Sequence, residues 1–505
     1  MLNNGIGSWP VRRARTSPGA IALRYGDLAV TYGELRDRVT KLAHALRSLG
    51  IKAGDRVAYL GQNHPAFVES MFATQTLGGI FVPLNFRLAS TEIDYMLDQS
   101  GTRLLIYAPE CAQVVANLAR FTGGRIAVAG TPDGDPAYEA LFSSGSPEPI
   151  DVPVALDDPA LILYTSGTTG RPKGAVLTHG NLHWNCFNLL ADIDVTSDEV
   201  ALVCTPLFHV AALNQMLLPT FFKRGTCVIT PGWDVDGCFD LVERWRVTWV
   251  FGVAAMFASL AQSPRWPTAD LSSLRHLMSG GAPIPRALIR TYQERGLVFT
   301  QGYGLTETAP GATFLDVENS VRKAGTAGTP CFFVDVRVVR PDLSQVDVDE
   351  PGEVQIHGPN VTPGYWDNPE ASAQSFAEGG WFRSGDVATV DGDGFLSIVG
   401  RLKDMFISGG ENVYPAEVES VLFEHPAVAE CAVVGVPDER WGEVGVAFVV
   451  LRPGAHLADR ELERFLRGRL AKYKVPVRFD VVDQLPRTGS GKVQKAALRE
   501  LAKAH

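Results

Sequence analysis

Apolar positions along this chain alternate between two spacings. Over residues 31–50 they recur every three or four places, with Leu35, Val39, Leu42, Leu46 and Leu49 on one face, the mark of a helix that buries one stripe. Thr31 stands at the N-cap position, Glu34 completes a capping box, and Gly50 closes the segment. Residues 56–60, 79–82 and 103–107 are short apolar runs that predict buried strands. Helices alternating with such runs imply parallel sheets covered on both faces. Residues 143–160, rich in Ser, Gly, Pro and Asp, read as a loop leading into the apolar run Ala160-Leu-Ile-Leu-Tyr164.

The texture changes near Gly352. Residues 353–357 and 395–399 predict short strands, with Asp391-Gly-Asp-Gly394 as a turn. After Gly400 a helix is expected at 413–424, strands at 432–436 and 445–450, and a second helix at 459–472. The expected fold is α/β: an N-terminal domain, residues 1–400, of β-sheets flanked by helices plus a small β-subdomain, and a small α/β C-terminal domain, residues 401–505.

Composition supports this division and narrows the function. A chain of 505 residues exceeds one hydrophobic core. With 46% hydrophobic and 20% charged residues it is ordinary globular material. A net charge of −10 disfavours a nucleic-acid binder. The one basic cluster, Arg12-Arg13-Ala-Arg15, is expected on the solvated face of a helix. The seven cysteines, at 111, 186, 204, 227, 238, 331 and 431, include no pair at metal-ligand spacing, so free buried thiols in a reducing compartment are expected. Neither a signal peptide nor a run of about 20 apolar residues is visible. The expectation is a cytoplasmic protein with no transmembrane segment; weak peripheral membrane contact and a homodimer stay open.

The chemistry concentrates in Tyr164-Thr-Ser-Gly-Thr-Thr-Gly-Arg-Pro-Lys173-Gly174, directly after a predicted strand. Glycine turns expose backbone N–H groups to phosphate oxygens, hydroxyls add donors, and a lysine neutralises charge. The spacing does not fit a Walker loop. Further along stand Ser279-Gly-Gly-Ala-Pro283, Gln301-Gly-Tyr-Gly-Leu-Thr-Glu307, Ser384-Gly-Asp386, Arg401-Leu-Lys-Asp404, Ser408-Gly-Gly-Glu-Asn412 and Pro486-Arg-Thr-Gly-Ser-Gly-Lys492.

In order and spacing these segments resemble the superfamily of AMP-forming acyl-CoA synthetases, peptide-synthetase adenylation domains and luciferases, over essentially the whole chain. The resemblance implies an acid–thiol ligase that uses ATP and Mg²⁺, makes an acyl-adenylate and passes the acyl group to coenzyme A. It implies that Thr165, Ser166, Gly167, Thr168, Thr169, Gly170 and Lys173 close on the ATP phosphates, and that Gly281, Ala282, Pro283, Gln301, Gly302 and Tyr303 bind the adenine. Thr306 would contact the α-phosphate, Glu307 hold the metal, and Asp386 and Arg401 take the ribose. Lys403 would be the hinge of a mobile C-terminal domain, Lys492 the catalytic lysine, and Gly409 and Gly410 would line the pantetheine passage.

The acid is less sharply written. Pro206-Leu-Phe-His209 resembles the family segment whose histidine gates the carboxylate pocket, which assigns His209, Ala211, Gln215, Val253, Gly280 and Gly281 to the acyl site. Residues 210–216 carry no Lys or Arg, so a dicarboxylate is disfavoured. At residue 254 the family more often has Pro, where this chain has Ala254. Residues 4–15, 179–186 and 302–310 look like bacterial feruloyl-CoA synthetases, whereas residues 209–213 and 402–415 look equally like long-chain fatty acyl-CoA synthetases. The balance favours a hydroxycinnamate such as ferulate over a medium- or long-chain fatty acid. The rival from another class is an adenylation module that loads a carrier protein; such modules usually continue into a carrier domain, and here thirteen residues follow Lys492.

Overall fold

The computed structural model describes residues 2–128, 137–165, 171–281, 284–458, 460–487 and 493–503. Two large sheets share one core. The first has seven strands in the order Gly364–Tyr365, Lys173–Thr178, Pro159–Thr165, Ile80–Leu84, Arg56–Leu60, Thr102–Tyr107 and Gly124–Ala127, parallel from the third strand onward. The second has nine: Thr329–Pro330, Gly311–Leu315, Phe299–Gly304, His276–Gly280, Trp249–Gly252, Val200–Val203, Thr226–Ile229, Ile21–Tyr25 and Leu28–Thr31. Its inner strands, from Phe299–Gly304 to Ile21–Tyr25, are parallel.

Period-2 alternation explains why these strands read as unbroken apolar runs. Val57 and Tyr59 join the core shared with the second sheet, whereas Ala58 and Leu60 join a separate core on the opposite face. In the second sheet Phe251 and Met278 face the shared core, and Val250 and Leu277 face outward into a third cluster. The helix Pro65–Thr76 is buried at every residue, which accounts for its lack of a polar face. The helix Tyr32–Ser48 starts as the sequence predicts: Thr31 Oγ1 accepts from the Glu34 N–H at 3.2 Å and Glu34 Oε2 accepts from the Thr31 N–H at 2.8 Å. Leu49 departs from the expectation, being the C-cap residue and 54% exposed.

A third sheet, antiparallel, contains Asp335–Val339, Gly352–His357, Trp381–Val390, Phe376–Ala377 and Leu396–Arg401. The Asp391 turn forms as predicted, its carboxylate accepting from Asp393 N and Phe395 N. The fourth sheet belongs to the C-terminal part: Glu411–Val413, Phe406–Ser408, Gly442–Leu451, Val428–Asp438 and Arg478–Val481. Two helix boundaries there are corrected. The helix expected at 413–424 is Pro415–Phe423, because Val413 ends a strand and Pro415 takes the first helical turn. The helix expected at 459–472 is Glu461–Arg467, stopping at Gly468, with a separate 3₁₀ turn at Lys472–Lys474; Asp459 lies outside the described residues. All seven cysteines are free and buried. No described helix is long and apolar enough to cross a membrane.

The N-terminal segment packs close to the buried helix. Arg12 is not simply solvated: it donates to Ser8 Oγ at 2.9 Å and to the Asn3 carbonyl at 3.3 Å. Burial lowers the pKa of Arg13, and Arg15 alone of the three arginines is exposed. A methyl group on Gly7 would stand 2.3 Å from the Gln75 carbonyl carbon, whereas one on Gly19 would meet nothing within 4 Å. Gly7→Ala should therefore destabilise the fold by the roughly 1–3 kcal/mol that overpacking costs and lower the thermal unfolding midpoint. Gly19→Ala should leave it within about a degree of the parent. Equal midpoints for the two variants in a calorimetric scan would contradict this packing.

Candidate active site

Three sheets meet where the candidate residues gather. Pro159–Thr165 and Lys173–Thr178 form an antiparallel hairpin that pairs Thr165 with Lys173. Ser166, Gly167, Thr168, Thr169 and Gly170, between these strands in sequence, lie outside the described residues, as do Ala282 and Pro283. The edge strand Gly364–Tyr365 pairs with Lys173–Thr178. It places the Tyr365 ring 5.3 Å from Lys173 Nζ, and the Tyr365 hydroxyl donates to Glu307 Oε1 at 2.9 Å. Burial pushes the Tyr365 hydroxyl up and the Glu307 charge pushes it further, so it stays protonated as a donor. Glu307 is itself 8% exposed.

Tyr303 lies on Phe299–Gly304 of the second sheet, and its hydroxyl donates to Asp386 Oδ2 at 2.8 Å. Arg401 Nε meets Asp386 Oδ1 at 2.8 Å from the paired strand of the third sheet. Asp386 is 4% exposed, and its own N–H donates to Ser384 Oγ at 3.0 Å. Burial and the Asp386 charge push the Tyr303 hydroxyl well up. Tyr303, Asp386 and Arg401, assigned separately from sequence, thus form one bonded unit. Gln301 is buried on the same strand as Tyr303.

The turn Thr306–Thr308, which carries Thr306 and Glu307, is held by three asparagines. Asn360 Nδ2 donates to the Thr308 and Gly311 carbonyls, each at 2.6 Å. Asn214 Nδ2 donates to the Ala309 carbonyl at 2.6 Å, and Asn185 Oδ1 accepts from Gly311 N at 2.9 Å. Asn185 Nδ2 closes the set on the Asn214 carbonyl at 2.7 Å. The backbone after Glu307 is thereby fixed from the helix His179–Asp192 on one side and residue 360 on the other.

His209 sits just past the strand Val200–Val203, its ring 4.5 Å from that of Phe208. Ala211 follows, partly buried, and caps a π-helical segment, Ala212–Leu217, that contains Gln215; such wide turns are enriched at functional sites. Val253 follows the strand Trp249–Gly252 as the N-cap of the helix Ala254–Gln262 and is 39% exposed. Gly280 pairs with Gly302, and Gly281 takes φ +82°.

In the C-terminal part Gly409 (φ 63°) and Gly410 (φ 89°) form the two-residue turn between Phe406–Ser408 and Glu411–Val413. Positive φ at both positions is what a tight hairpin turn of this kind demands, so both glycines have a conformational reason for being there. Lys403 is exposed in the turn after Arg401, beside Asp404, which Arg499 reaches at 3.4 Å. Lys492 lies outside the described residues; Arg487 and Val493, on either side of residues 488–492 in sequence, form an isolated antiparallel bridge.

Tyr365 and the three asparagines escaped the sequence reading. For Tyr365 the only local signal is an aromatic pair directly after Pro363-Gly364. The asparagines carry none, since their role rests on contacts up to 126 residues apart.

The arrangement defines an adenylate-forming enzyme, and the chain belongs to the AMP-binding enzyme family. The AMP-binding enzyme model matches residues 11–366 and that of the AMP-binding enzyme C-terminal domain matches residues 417–492. Among individual proteins, the chain is 54% identical over 499 residues to a feruloyl-CoA synthase of an Amycolatopsis species, covering 99% of each. It is 38% identical over 496 residues to a long-chain-fatty-acid–CoA ligase of Mycobacterium tuberculosis, covering 97% of each. The o-succinylbenzoate CoA synthetase of Bacillus subtilis, solved with its acyl-adenylate intermediate, superposes with a TM-score of 0.88 at 34% identity, over 97% of this chain and 98% of that one.

If the Tyr365 hydroxyl orients the Glu307 carboxylate, Tyr365→Phe keeps the ring beside Lys173 and removes only that bond. A hydrogen bond to a charged group contributes about 1.5–3 kcal/mol, roughly ten- to hundredfold. Acid-dependent ATP–pyrophosphate exchange should fall by about that factor and need more Mg²⁺ for half-maximal rate. An unchanged Mg²⁺ requirement would remove Tyr365 from the site.

Proposed function

We propose that this protein is an ATP-dependent carboxylate–CoA ligase that activates a hydroxycinnamic acid such as ferulate. The observation that carries the reading is the 54% identity to a feruloyl-CoA synthase along the whole chain. It gains support from the way Tyr303, the Asp386–Arg401 pair and Tyr365, which bonds Glu307, converge from three sheets. The assignment also divides the chain into a larger part, residues 1–400, and a C-terminal domain, residues 401–505, pivoting near Lys403.

In the first half-reaction a carboxylate oxygen attacks the α-phosphorus of ATP and pyrophosphate leaves. Negative charge gathers in the transition state, and such transfers are accelerated mainly by positioning and electrostatics. Tyr303 offers its ring to the adenine. The Asp386 carboxylate, held by Tyr303 and Arg401, is the acceptor for a ribose hydroxyl. Thr306 and Lys173 face the phosphates together with residues 166–170, and Lys492 supplies a further positive charge to the transition state.

Magnesium fits this donor set. A hard cation that keeps phosphate and water oxygens needs only one or two carboxylates, and Glu307 is a buried carboxylate oriented by Tyr365. Among the described residues no group of three or more His, Cys, Asp or Glu side chains could hold a metal by itself. Bound there, the ion would neutralise charge on the phosphates. The B. subtilis enzyme was also solved with ATP and a magnesium ion, at a TM-score of 0.87.

In the second half-reaction the coenzyme A thiolate attacks the acyl carbonyl and AMP leaves. The C-terminal domain then turns, withdrawing Lys492 and bringing Gly409 and Gly410 to the pantetheine passage. His209, Ala211, Gln215, Val253, Gly280 and Gly281 remain assigned to the acyl side.

AMP release with coenzyme A across ferulate, p-coumarate, benzoate and C6 to C16 fatty acids tests the reading: ferulate should give the highest kcat/KM, and a maximum on long-chain acids would replace it. Two variants separate the half-reactions. Lys492→Ala should lower ATP–pyrophosphate exchange by orders of magnitude while thioester formation from chemically prepared acyl-AMP survives. Lys403→Pro, which fixes φ at the pivot, should do the reverse. Loss of the same half-reaction in both would refute domain alternation about Lys403.

A further inference from the structure

The stretch of chain that leads to His209 is buried yet irregular. After the strand Val200–Val203, residues Cys204, Thr205, Leu207 and Phe208 are each 7% exposed or less, and none belongs to a strand or a helix. Backbone N–H and C=O groups in such a stretch need partners from elsewhere, because unpaired ones out of water are costly. One side chain supplies two of those partners. Asn63 Nδ2 donates to the Thr205 carbonyl at 2.9 Å, and Asn63 Oδ1 accepts from Leu207 N at 2.8 Å. Asn63 is 3% exposed, and its amide lies against residues 205–207 as the peptide of an adjacent strand would. The hold passes on to His209. The His209 N–H donates to the Pro206 carbonyl at 3.0 Å, inside the clamped stretch, and the His209 carbonyl accepts from Leu213 N at 3.3 Å.

Asn63 is a stiff place to anchor from. It stands between the strand Arg56–Leu60 and the helix Pro65–Thr76, which is buried throughout. His64 caps that helix, its Nδ1 accepting from Ala66 N at 3.1 Å. A second contact comes from the neighbouring parallel strand: Phe86, just after Ile80–Leu84, meets Phe208 edge-on at 5.7 Å. Two adjacent strands of the seven-stranded sheet thus hold, at their carboxyl ends, a stretch that belongs to the nine-stranded one. Carboxyl ends of parallel strands are where open α/β sheets bind their ligands.

We propose that Asn63 is a positioning residue for acid activation: it fixes the backbone of residues 205–207 so that His209 meets the carboxylate in one place. This rests on the ligase reading above, in which His209 stands on the acyl side. Asn63 itself touches no substrate and acts through His209. Displacing such a group is costly even from a distance, since an error on the order of 1 Å can cost about a hundredfold in rate. The nucleotide side should be spared, because Tyr303, Asp386, Arg401 and Glu307 are held by other contacts.

The test is a double-mutant cycle in the full-length enzyme, with whichever acid of the panel the wild type uses best. Asn63→Ala should lower kcat/KM for the acid roughly ten- to hundredfold. It should leave KM for ATP within about twofold, and AMP affinity by calorimetric titration unchanged. In a His209→Ala background the same substitution should cost less than about twofold, because the two residues act as one unit. Asn63→Asp keeps the acceptor for Leu207 N and sets an oxygen against the Thr205 carbonyl. It repeats the cycle if Asn63→Ala folds poorly, and its effect should likewise vanish without His209. Additive losses in the cycle, an equal rise in KM for ATP, or no change would overturn the proposal while leaving the ligase reading intact. A wild type that releases no AMP with any acid of the panel would overturn both.

Discussion

Asp386 lies almost wholly out of water, and an ionised carboxylate in that position is costly unless paired and hydrogen-bonded. Its partners come from two directions: the Tyr303 hydroxyl from the large parallel sheet, and the Arg401 guanidinium from the antiparallel sheet's last strand. Removing either partner would leave a buried charge short of compensation. The relative placement of the two sheets is therefore written into one carboxylate. Arg401 is also the last residue of its strand, directly before the turn that carries Lys403.

A second junction repeats the device at the other end of the site. Glu307, on the loop after the parallel sheet, takes a hydrogen bond from Tyr365 on the edge of the seven-stranded sheet. In both cases a tyrosine that burial keeps protonated steers an acid carried by a different element. The asparagines at 185, 214 and 360 hold the intervening backbone, so that Tyr303, Thr306 and Glu307 keep one relative geometry. Preorganisation of this kind is what electrostatic catalysis requires, since dipoles already in place need not reorganise during reaction.

Much of this was legible from residue order, and the failures have physical causes. The capping box at Thr31, the strand Arg56–Leu60 and the Asp391 turn are local, each set by residues within a few positions, and each formed as predicted. The helix expected from residue 413 failed because apolar Val413 serves a three-residue strand as well as it would a helix, and only Pro415 marks the true start. The helix expected at 459–472 overran Gly468, although that glycine, with Arg464 and Arg467 in the last turn, is the usual signal for a helix end. In the site, motif residues such as Tyr303 and Asp386 could be named, but not the bond between them, which joins positions 83 apart. Tyr365 and the asparagines were invisible for the same reason.

The account stands on Asp386 being the group that reads the ribose of the nucleotide. Calorimetric titration of the wild type and of Asp386→Asn with AMP and with 2′,3′-dideoxy-AMP tests this most directly. The wild type should bind AMP at least tenfold more tightly than the dideoxy analogue, the scale of a hydrogen bond to a charged group, and Asp386→Asn should lose most of that discrimination. The same preference in both proteins would place the ribose elsewhere and contradict the account.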